Sequence, residues 1–129
     1  MSLPTSIDRD RFLQALAKRF PEITANIDEI DSGLLHLEMA VVSRATSAAV
    51  NAQRWKVVAS HLAFIEKVFS GGTEAIKNAV YVSYLENIFL AESSAGHMSA
   101  RAMLPPRLAN ALVELETHLQ MLSHAKRDA

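Results

Sequence analysis

EAIKNAVYVSYLENIFLA, residues 74–91, would form a helix that is apolar all the way round. Thr73 precedes it as a candidate N-cap, and Glu74 in the first turn complements the helix dipole. A helix without a polar face is usually buried on every side. The stretch therefore predicts a central helix with the other helices packed around it.

Four other segments carry apolar residues at three- and four-residue intervals, which is the spacing of one helix face. The first begins at a capping box formed by Thr5 and Asp8. The last begins at Pro105 and Pro106, whose missing amides suit a first turn. The segments are IDRDRFLQALAKRF (7–20), EITANIDEID (22–31), QRWKVVASHLAFIEKVFSGG (53–72) and LPPRLANALVELETHL with its continuation (104–122).

The segment LLHLEMAVVSRATSAAVNAQ, residues 34–53, is ambiguous, because its first apolar residues alternate with less apolar ones as in a strand. No turn signal interrupts its alanine-rich continuation, and no partner strand lies nearby, so we interpret it as a helix. By contrast, ESSAGHMSARAM (92–103) breaks the helical periodicity and predicts a helix end followed by a loop.

These segments predict an all-α single domain over residues 1–129, ordered from about residue 6 to about 123, with a flexible C-terminal tail. We expect about six helices in an irregular bundle or in a short stack of helical hairpins. The sequence is weakly similar to itself at an offset of 48 residues, which aligns Glu38 with Glu86. This similarity keeps the stack of helical hairpins open as an alternative.

Composition and charge exclude several classes of function. Half of the residues are hydrophobic and 21% are charged, as in ordinary globular domains. The absence of cysteine excludes disulfides, thiolate metal sites and cysteine nucleophiles. A net charge of −1 without a long block of like charges argues against a nucleic-acid partner. Because we recognise neither a membrane-spanning run nor a secretion signal, we expect no membrane association and a cytoplasmic location.

Glu86 is the only charged residue in YVSYLENIFLA (81–91), and Glu38 has similarly apolar neighbours in SGLLHLEMAVVS (32–43). A buried carboxylate must be protonated, paired with a cation or bound to a metal. We favour a structural ion pair, with arginines such as Arg44 and Arg107 as candidate partners. Glu38, Glu86, Arg44 and Arg107 are therefore the candidate polar anchors.

The alternative is a small enzyme or metal-binding bundle that uses Glu38, Glu86 and nearby histidines. Neither acid lies in a Glu-x-x-His pair, and the sequence has no Gly-rich phosphate loop, nucleophile elbow or dinucleotide fingerprint. We therefore assign no catalytic, cofactor-binding or metal residue and expect no cofactor. Tyr81 and Tyr84, three positions apart, are either core residues or an aromatic ridge at an interface.

Five blocks of the sequence, LLHLEMAVVSRAT, FIEKVF, NAVYVSYLEN, LPPRL and ELETHL, resemble the recurring blocks of a family of small bacterial proteins. That family is uncharacterised, all-helical and catalogued as a domain of unknown function. The resemblance spans roughly residues 8 to 122 and implies an all-helical fold in a bacterial cytosol. It implies no activity, because none of its blocks is a catalytic signature.

We therefore expect a non-enzymatic protein-binding domain with a protein partner. The bacterial setting suggests a toxin-neutralising (immunity) role as its most specific form. A homodimer in which the helix of residues 74–91 packs against its copy is a second arrangement. The positive argument for binding is the surplus of apolar surface on that helix, which is either core or interface.

Overall fold

All regular secondary structure is helical in the part of the chain that a computed structural model describes, residues 6–90 and 94–127. No strand occurs within it, so the all-α prediction is confirmed. None of its helices has both the length and the apolar character needed to cross a bilayer. The helices are α1 (Arg9–Arg19), α2 (Pro21–Thr24), α3 (Leu35–Asn51), α4 (Trp55–Gly71), α5 (Glu74–Val80), α6 (Ala95–Ala102) and α7 (Pro106–Arg127).

α5 passes without a break into a π-helical segment, Tyr81–Leu90, which packs along α3 and also contacts α6 and α7. A π-helix closes hydrogen bonds five residues apart, so residues at that spacing share a face. The buried residues of this π segment, together with Val80 at the end of α5, form such pairs, whereas Val82 is 43% exposed and Asn87 also reaches the surface. The predicted helix is thus central but not buried on every side. The buried pairs are Val80 with Leu85, Ser83 with Ile88, and Tyr84 with Phe89.

The second predicted helix, residues 22–31, is mostly wrong. Only Pro21–Thr24 is helical, and Ile30, which was expected on a buried face, is 79% exposed. The carboxylate of Asp28 accepts a hydrogen bond at 2.9 Å from the amide of Asp31. Such local side-chain bonds offer the backbone an alternative to the helix and favour a turn.

The loop predicted within residues 92–103 is also partly wrong, since α6 occupies Ala95–Ala102. Residues 92 and 93 lie outside the described part of the chain. The N-cap of α6 is Ser94, whose hydroxyl accepts from the amide of His97 at 3.2 Å, and His97 and Ala100 are buried. The cap at Ser94 and the burial of His97 and Ala100 stabilise α6, although its small residues break the apolar periodicity of the sequence.

Two predictions concern the ends of the chain. α1 has Asp8 as its N-cap, with the carboxylate accepting from the amide of Arg11 at 2.9 Å; the predicted capping partner, Thr5, lies outside the described residues. The backbone of α7 is helical as far as Arg127. Asp128 and Ala129, the rest of the tail predicted to be flexible, also lie outside the description.

α3 confirms the helical interpretation of residues 34–53 and ends in a Schellman motif. The amide of Gln53 donates to the carbonyl of Val50 at 3.0 Å, and that of Arg54 donates to the carbonyl of Ala49 at 2.9 Å. Gln53 has a φ of 58°, in the left-handed region that glycine normally occupies at this position.

We expect Gln53→Gly to raise the free energy of unfolding by about 0.5 to 1 kcal/mol, because glycine adopts the left-handed conformation without strain. Chemical denaturation measures the change. Gln14→Gly is the matched control: Gln14 is an exposed residue inside α1, so the same exchange there lowers stability by about 1 kcal/mol. A loss of stability in both variants would contradict the role of the turn.

Candidate functional site

Glu38 is a buried carboxylate with one cationic partner, Arg9 of α1. Arg9 donates from Nε to Oε1 at 2.8 Å and from Nη2 to Oε2 at 2.7 Å, which makes the pair bidentate. The amide of Gly33 adds a third hydrogen bond to Oε2 at 3.1 Å. Gly33 has a φ of 90°, a conformation that glycine adopts easily and that presents its amide to the carboxylate.

The predicted burial and pairing of Glu38 are therefore found, but with a partner that the sequence did not point to. Burial by itself would raise the pKa of Glu38, but the hydrogen bonds and charge of Arg9, with the amide of Gly33, hold that pKa below its usual value. The Glu38 side chain is 1% exposed and that of Arg9 is 36% exposed. The carboxylate of the ion pair is thus buried, whereas the guanidinium is partly in contact with water.

Arg44 and Arg107 do not bind either acid, which corrects their proposed role as anchors. Both are exposed, and neither side chain forms an ion pair within the described residues. The backbone amide of Arg107 donates instead to Oε2 of Glu66 at 3.3 Å, and that of Leu108 donates to Oε1 at 2.9 Å. Glu66 of α4 therefore caps the N-terminus of α7 and couples the FIEKVF block to the LPPRL block.

Glu86 differs from Glu38 in its environment. It is only half-buried, and no described residue forms an ion pair or hydrogen bond with its side chain. Glu86 is therefore not a buried anchor, and the Leu-Glu dipeptide that it shares with Glu38 has no common structural role.

Tyr84 is fully buried and cannot be part of a surface ridge, which corrects one of the two interface residues. Its hydroxyl lies 2.9 Å from Oγ1 of Thr46, and that oxygen lies 3.0 Å from Nδ1 of His61. Oγ1 is also 3.2 Å from the carbonyl oxygen of Val42. Burial raises the pKa of Tyr84 and lowers that of His61, so both groups are neutral at pH 7.

All three contacts of Thr46 can be hydrogen bonds at the same time in only one arrangement of the protons. A hydroxyl donates once and accepts twice, and the carbonyl of Val42 can only accept. Thr46 must then donate to Val42 and accept from both Tyr84 and His61. In this arrangement His61 carries its proton on Nδ1 and leaves Nε2 as a free acceptor.

Nε2 of His61 reaches a groove of about 430 Å³ between α2, α3 and α4. Among the described residues, every fully buried polar atom of a side chain has a hydrogen-bond partner. Nε2 of His61 has no such partner, so this atom is not fully buried and is in contact with solvent. The rim carries Glu22, Asn26 and Arg54, while alanines form most of the wall. Nε2 of His61 is thus a hydrogen-bond acceptor in this groove, beside the polar side chains of the rim.

The other two histidines considered as metal ligands, His36 and His118, lie on different helices, α3 and α7. His36 bonds Ser83 of the π segment at 2.8 Å through Nδ1, and no three His, Asp or Glu residues cluster within the described residues. His97 uses both ring nitrogens, with Ser47 at 2.8 Å from Nε2 and Ser94 at 2.7 Å from Nδ1. The bonds of His36 to Ser83 and of His97 to Ser47 join α3 to the π segment and to α6.

Tyr81, the other predicted interface residue, does lie at the surface. It is half-buried, stacks edge-on against Phe69 with ring centroids 5.4 Å apart, and donates from its hydroxyl to Oε2 of Glu114 at 3.0 Å. With α7 it forms a groove of about 370 Å³, which we call the Tyr81 groove. The groove is lined by Asn78, Tyr81, Val82, Glu114, Leu115 and His118.

α7 carries a leucine stripe that is packed in its first half and bare in its second. Leu108 and Leu112 are at most 1% exposed and Leu115 is half-buried, whereas Leu119 is 37% and Leu122 50% exposed. The spacing alternates between four and three residues, which is the pattern of helices that pack by knobs into holes. We call Leu115, His118, Leu119 and Leu122 the α7 face; its first two members also line the Tyr81 groove.

We expect Arg9→Met to lower the free energy of unfolding by about 3 kcal/mol at pH 7, because it leaves a buried carboxylate without its cation. Glu38→Gln should cost only about 1.5 kcal/mol, since water can hydrate the partly exposed guanidinium that remains. Arg11→Met is the control, as Arg11 is exposed on the same helix, and should stay within about 0.5 kcal/mol of wild type. Equal effects of Arg9→Met and Arg11→Met would contradict a stabilising pair.

The same pair makes stability depend on pH. Because the folded pKa of Glu38 lies below its unfolded value, the contribution is complete above the unfolded pKa and is lost as the pH falls through the folded one. Wild type should therefore lose its advantage over Glu38→Gln on acidification below about pH 4.3. Denaturation curves at a series of pH values measure this loss.

The proton arrangement around Thr46 can be observed directly. Long-range proton–nitrogen NMR correlation should show His61 protonated at Nδ1 and not at Nε2 in neutral solution, with a pKa below 6.5. Since the folded pKa is lowered, the neutral ring stabilises the fold above the unfolded pKa, and stability decreases as the pH falls from about 6.5 through the folded pKa. A His61 protonated at Nε2 would contradict the assignment.

The comparison with known proteins places these residues in one family. Residues 13–120 match the family model described as a domain of unknown function, DUF7674. No curated protein and no solved structure matches the chain. The matched range includes Glu38, Thr46, Tyr84 and most of the α7 face. Since the match covers most of the chain and agrees with the resemblance of the sequence blocks, the chain belongs to the DUF7674 family.

Proposed function

We propose that this chain is a protein-binding domain that holds a helix of a partner protein on the α7 face. The observation that carries the proposal is the leucine stripe of α7, of which one half is packed in the core while the other half is bare. Leu119 and Leu122 continue the spacing that Leu108, Leu112 and Leu115 use inside the fold. A helix with apolar residues at the same spacing would extend this packing outward.

The Tyr81 groove supports the same surface. It adjoins the α7 face through Leu115 and His118 and adds the exposed side chain of Val82 and the ring of Tyr81. Aromatic residues with a polar tip are enriched at protein interfaces. The groove and the α7 face together provide an apolar strip with hydrogen-bonding groups at its edge, as a docking helix requires.

Two finer expectations remain predictions. A toxin-neutralising role would be one form of this binding, in which the captured helix belongs to a toxin. A homodimer would pair two α7 faces rather than two copies of α5 and the π segment, because most of that helix is buried within its own chain.

Photocrosslinking tests the proposal. A photoreactive residue at position 119 should join the chain to a partner protein in native cells, whereas one at position 113, on another face of α7, should not. The partner is then purified, and its affinity is measured by calorimetry. Leu119→Glu with Leu122→Glu should weaken binding about a hundredfold, because two leucines lose their burial.

The matched control is Val113→Glu with Met121→Glu, since these residues are 56% and 66% exposed on other faces of α7. This control should bind as wild type does. Equal weakening in both double variants, or no crosslink from position 119, would contradict the proposal. Light scattering that gives twice the chain mass for wild type but not for the leucine variant would assign the surface to a second copy of the chain instead.

A further inference from the structure

A groove of about 550 Å³ lies between α1 and α4, on residues that the α7 face does not use. We call it the α1–α4 groove. Among the residues that the structure describes, its lining combines apolar residues and cations and contains no carboxylate. The lining residues are Ile7, Ala15, Lys18, Arg19, Ala63, Phe64, Lys67 and Val68.

Core contacts hold the walls of this groove in place. The ring of Phe64 on α4 lies 6.4 Å from that of Phe12 and packs edge-on against Phe20 at 5.4 Å. At one end Ile7 is fixed by its amide, which donates to the carbonyl of Gly71 at 2.7 Å, and by its carbonyl, which accepts from the amide of Thr73 at 3.0 Å. The groove is therefore formed before any ligand binds.

The α1–α4 groove has an apolar floor and positively charged residues on both walls. Val68 is buried, and Phe64 is half-buried in the floor. Lys18 and Arg19 are exposed on the α1 wall, and Lys67 is exposed on the α4 wall. Cations on both walls set the groove apart from the chain as a whole, whose net charge is −1.

We propose that the α1–α4 groove binds an acidic amphipathic helix of a partner protein. The apolar side of that helix would lie on Ile7 and Phe64, which are half-buried in the lining, and carboxylates along its two flanks would face Lys18 and Lys67. Ala15 and Ala63 are exposed and short, so the backbone of a helix can come close. A fatty acid or phospholipid fits less well, because it presents its charge at one end rather than along both flanks. Helix-in-groove binding with matched charges is a common mode of peptide recognition.

A synthetic peptide tests this site with the full chain. The probe is a fluorescent helical peptide with leucines at three- and four-residue spacing and glutamates on both flanks, and its binding is measured by anisotropy. We expect binding that weakens with added salt, and no binding of a peptide in which lysines replace the glutamates. Lys18→Glu with Lys67→Glu should weaken binding by about tenfold or more.

Arg11→Glu with Lys56→Glu is the matched control, because it makes the same change of charge on the same two helices with exposed residues outside the lining. This control should bind the peptide nearly as wild type does, and circular dichroism should show that both variants are folded. Equal weakening in the two variants, equal binding of the lysine peptide, or binding of oleate without binding of the acidic peptide would each overturn the proposal. Leu119→Glu with Leu122→Glu should leave peptide binding unchanged, so this proposal and that for the α7 face can fail separately.

Discussion

A single threonine hydroxyl joins three helical segments in the core of this domain. Thr46 of α3 lies within hydrogen-bond distance of Tyr84 in the π segment and of His61 in α4, and it is fully buried. A buried hydroxyl without a partner costs about 1 to 3 kcal/mol, so Tyr84 can occupy the core only where Thr46 meets it. The π winding contributes to the same fit, because it places Tyr84 and Phe89 on one face, five residues apart. Packing of α3 against the π segment thus depends on a polar bond inside an apolar interface.

The same logic extends along α3, which makes polar side-chain bonds to four other elements. Glu38 binds Arg9 of α1, Thr46 bonds to α4 and the π segment, and Ser47 bonds His97 of α6. Hydrophobic burial is not directional, whereas each of these bonds is satisfied in one register only. We infer that apolar contacts supply most of the stability and that the bonds from α3 fix how the helices are aligned. These bonds account for the burial of Glu38, His61 and His97, residue types that are also suited to catalysis or metal binding.

Periodicity predicted most of the helices because a stripe of apolar residues is a local property of the chain. It failed where local hydrogen bonds decided the outcome: turns follow the second helix directly after Thr24, and the cap at Ser94 started α6 among small residues. Periodicity does not predict which residues distant in sequence form contacts. Arg9 and Glu38 are 29 positions apart, and no spacing rule connects them. The sequence also left open whether Tyr84 lies in the core or at the surface with Tyr81. Residues three positions apart share a face of an α-helix, but they do not share a face of a π-helix.

The candidate binding surfaces show why composition was a poor guide to partners. A net charge of −1 without a long block of like charges argued against a nucleic-acid partner, yet folding brings Lys18, Arg19 and Lys67 to the lining of one groove. Several acids are engaged within the fold: Glu38 and Glu116 pair with arginines, and Glu66 caps α7. Carboxylates held in this way leave the cations of α1 and α4 to set the local potential. The surface charge that a partner meets therefore depends on which acids the fold has already engaged, and the sum over the sequence does not contain that information.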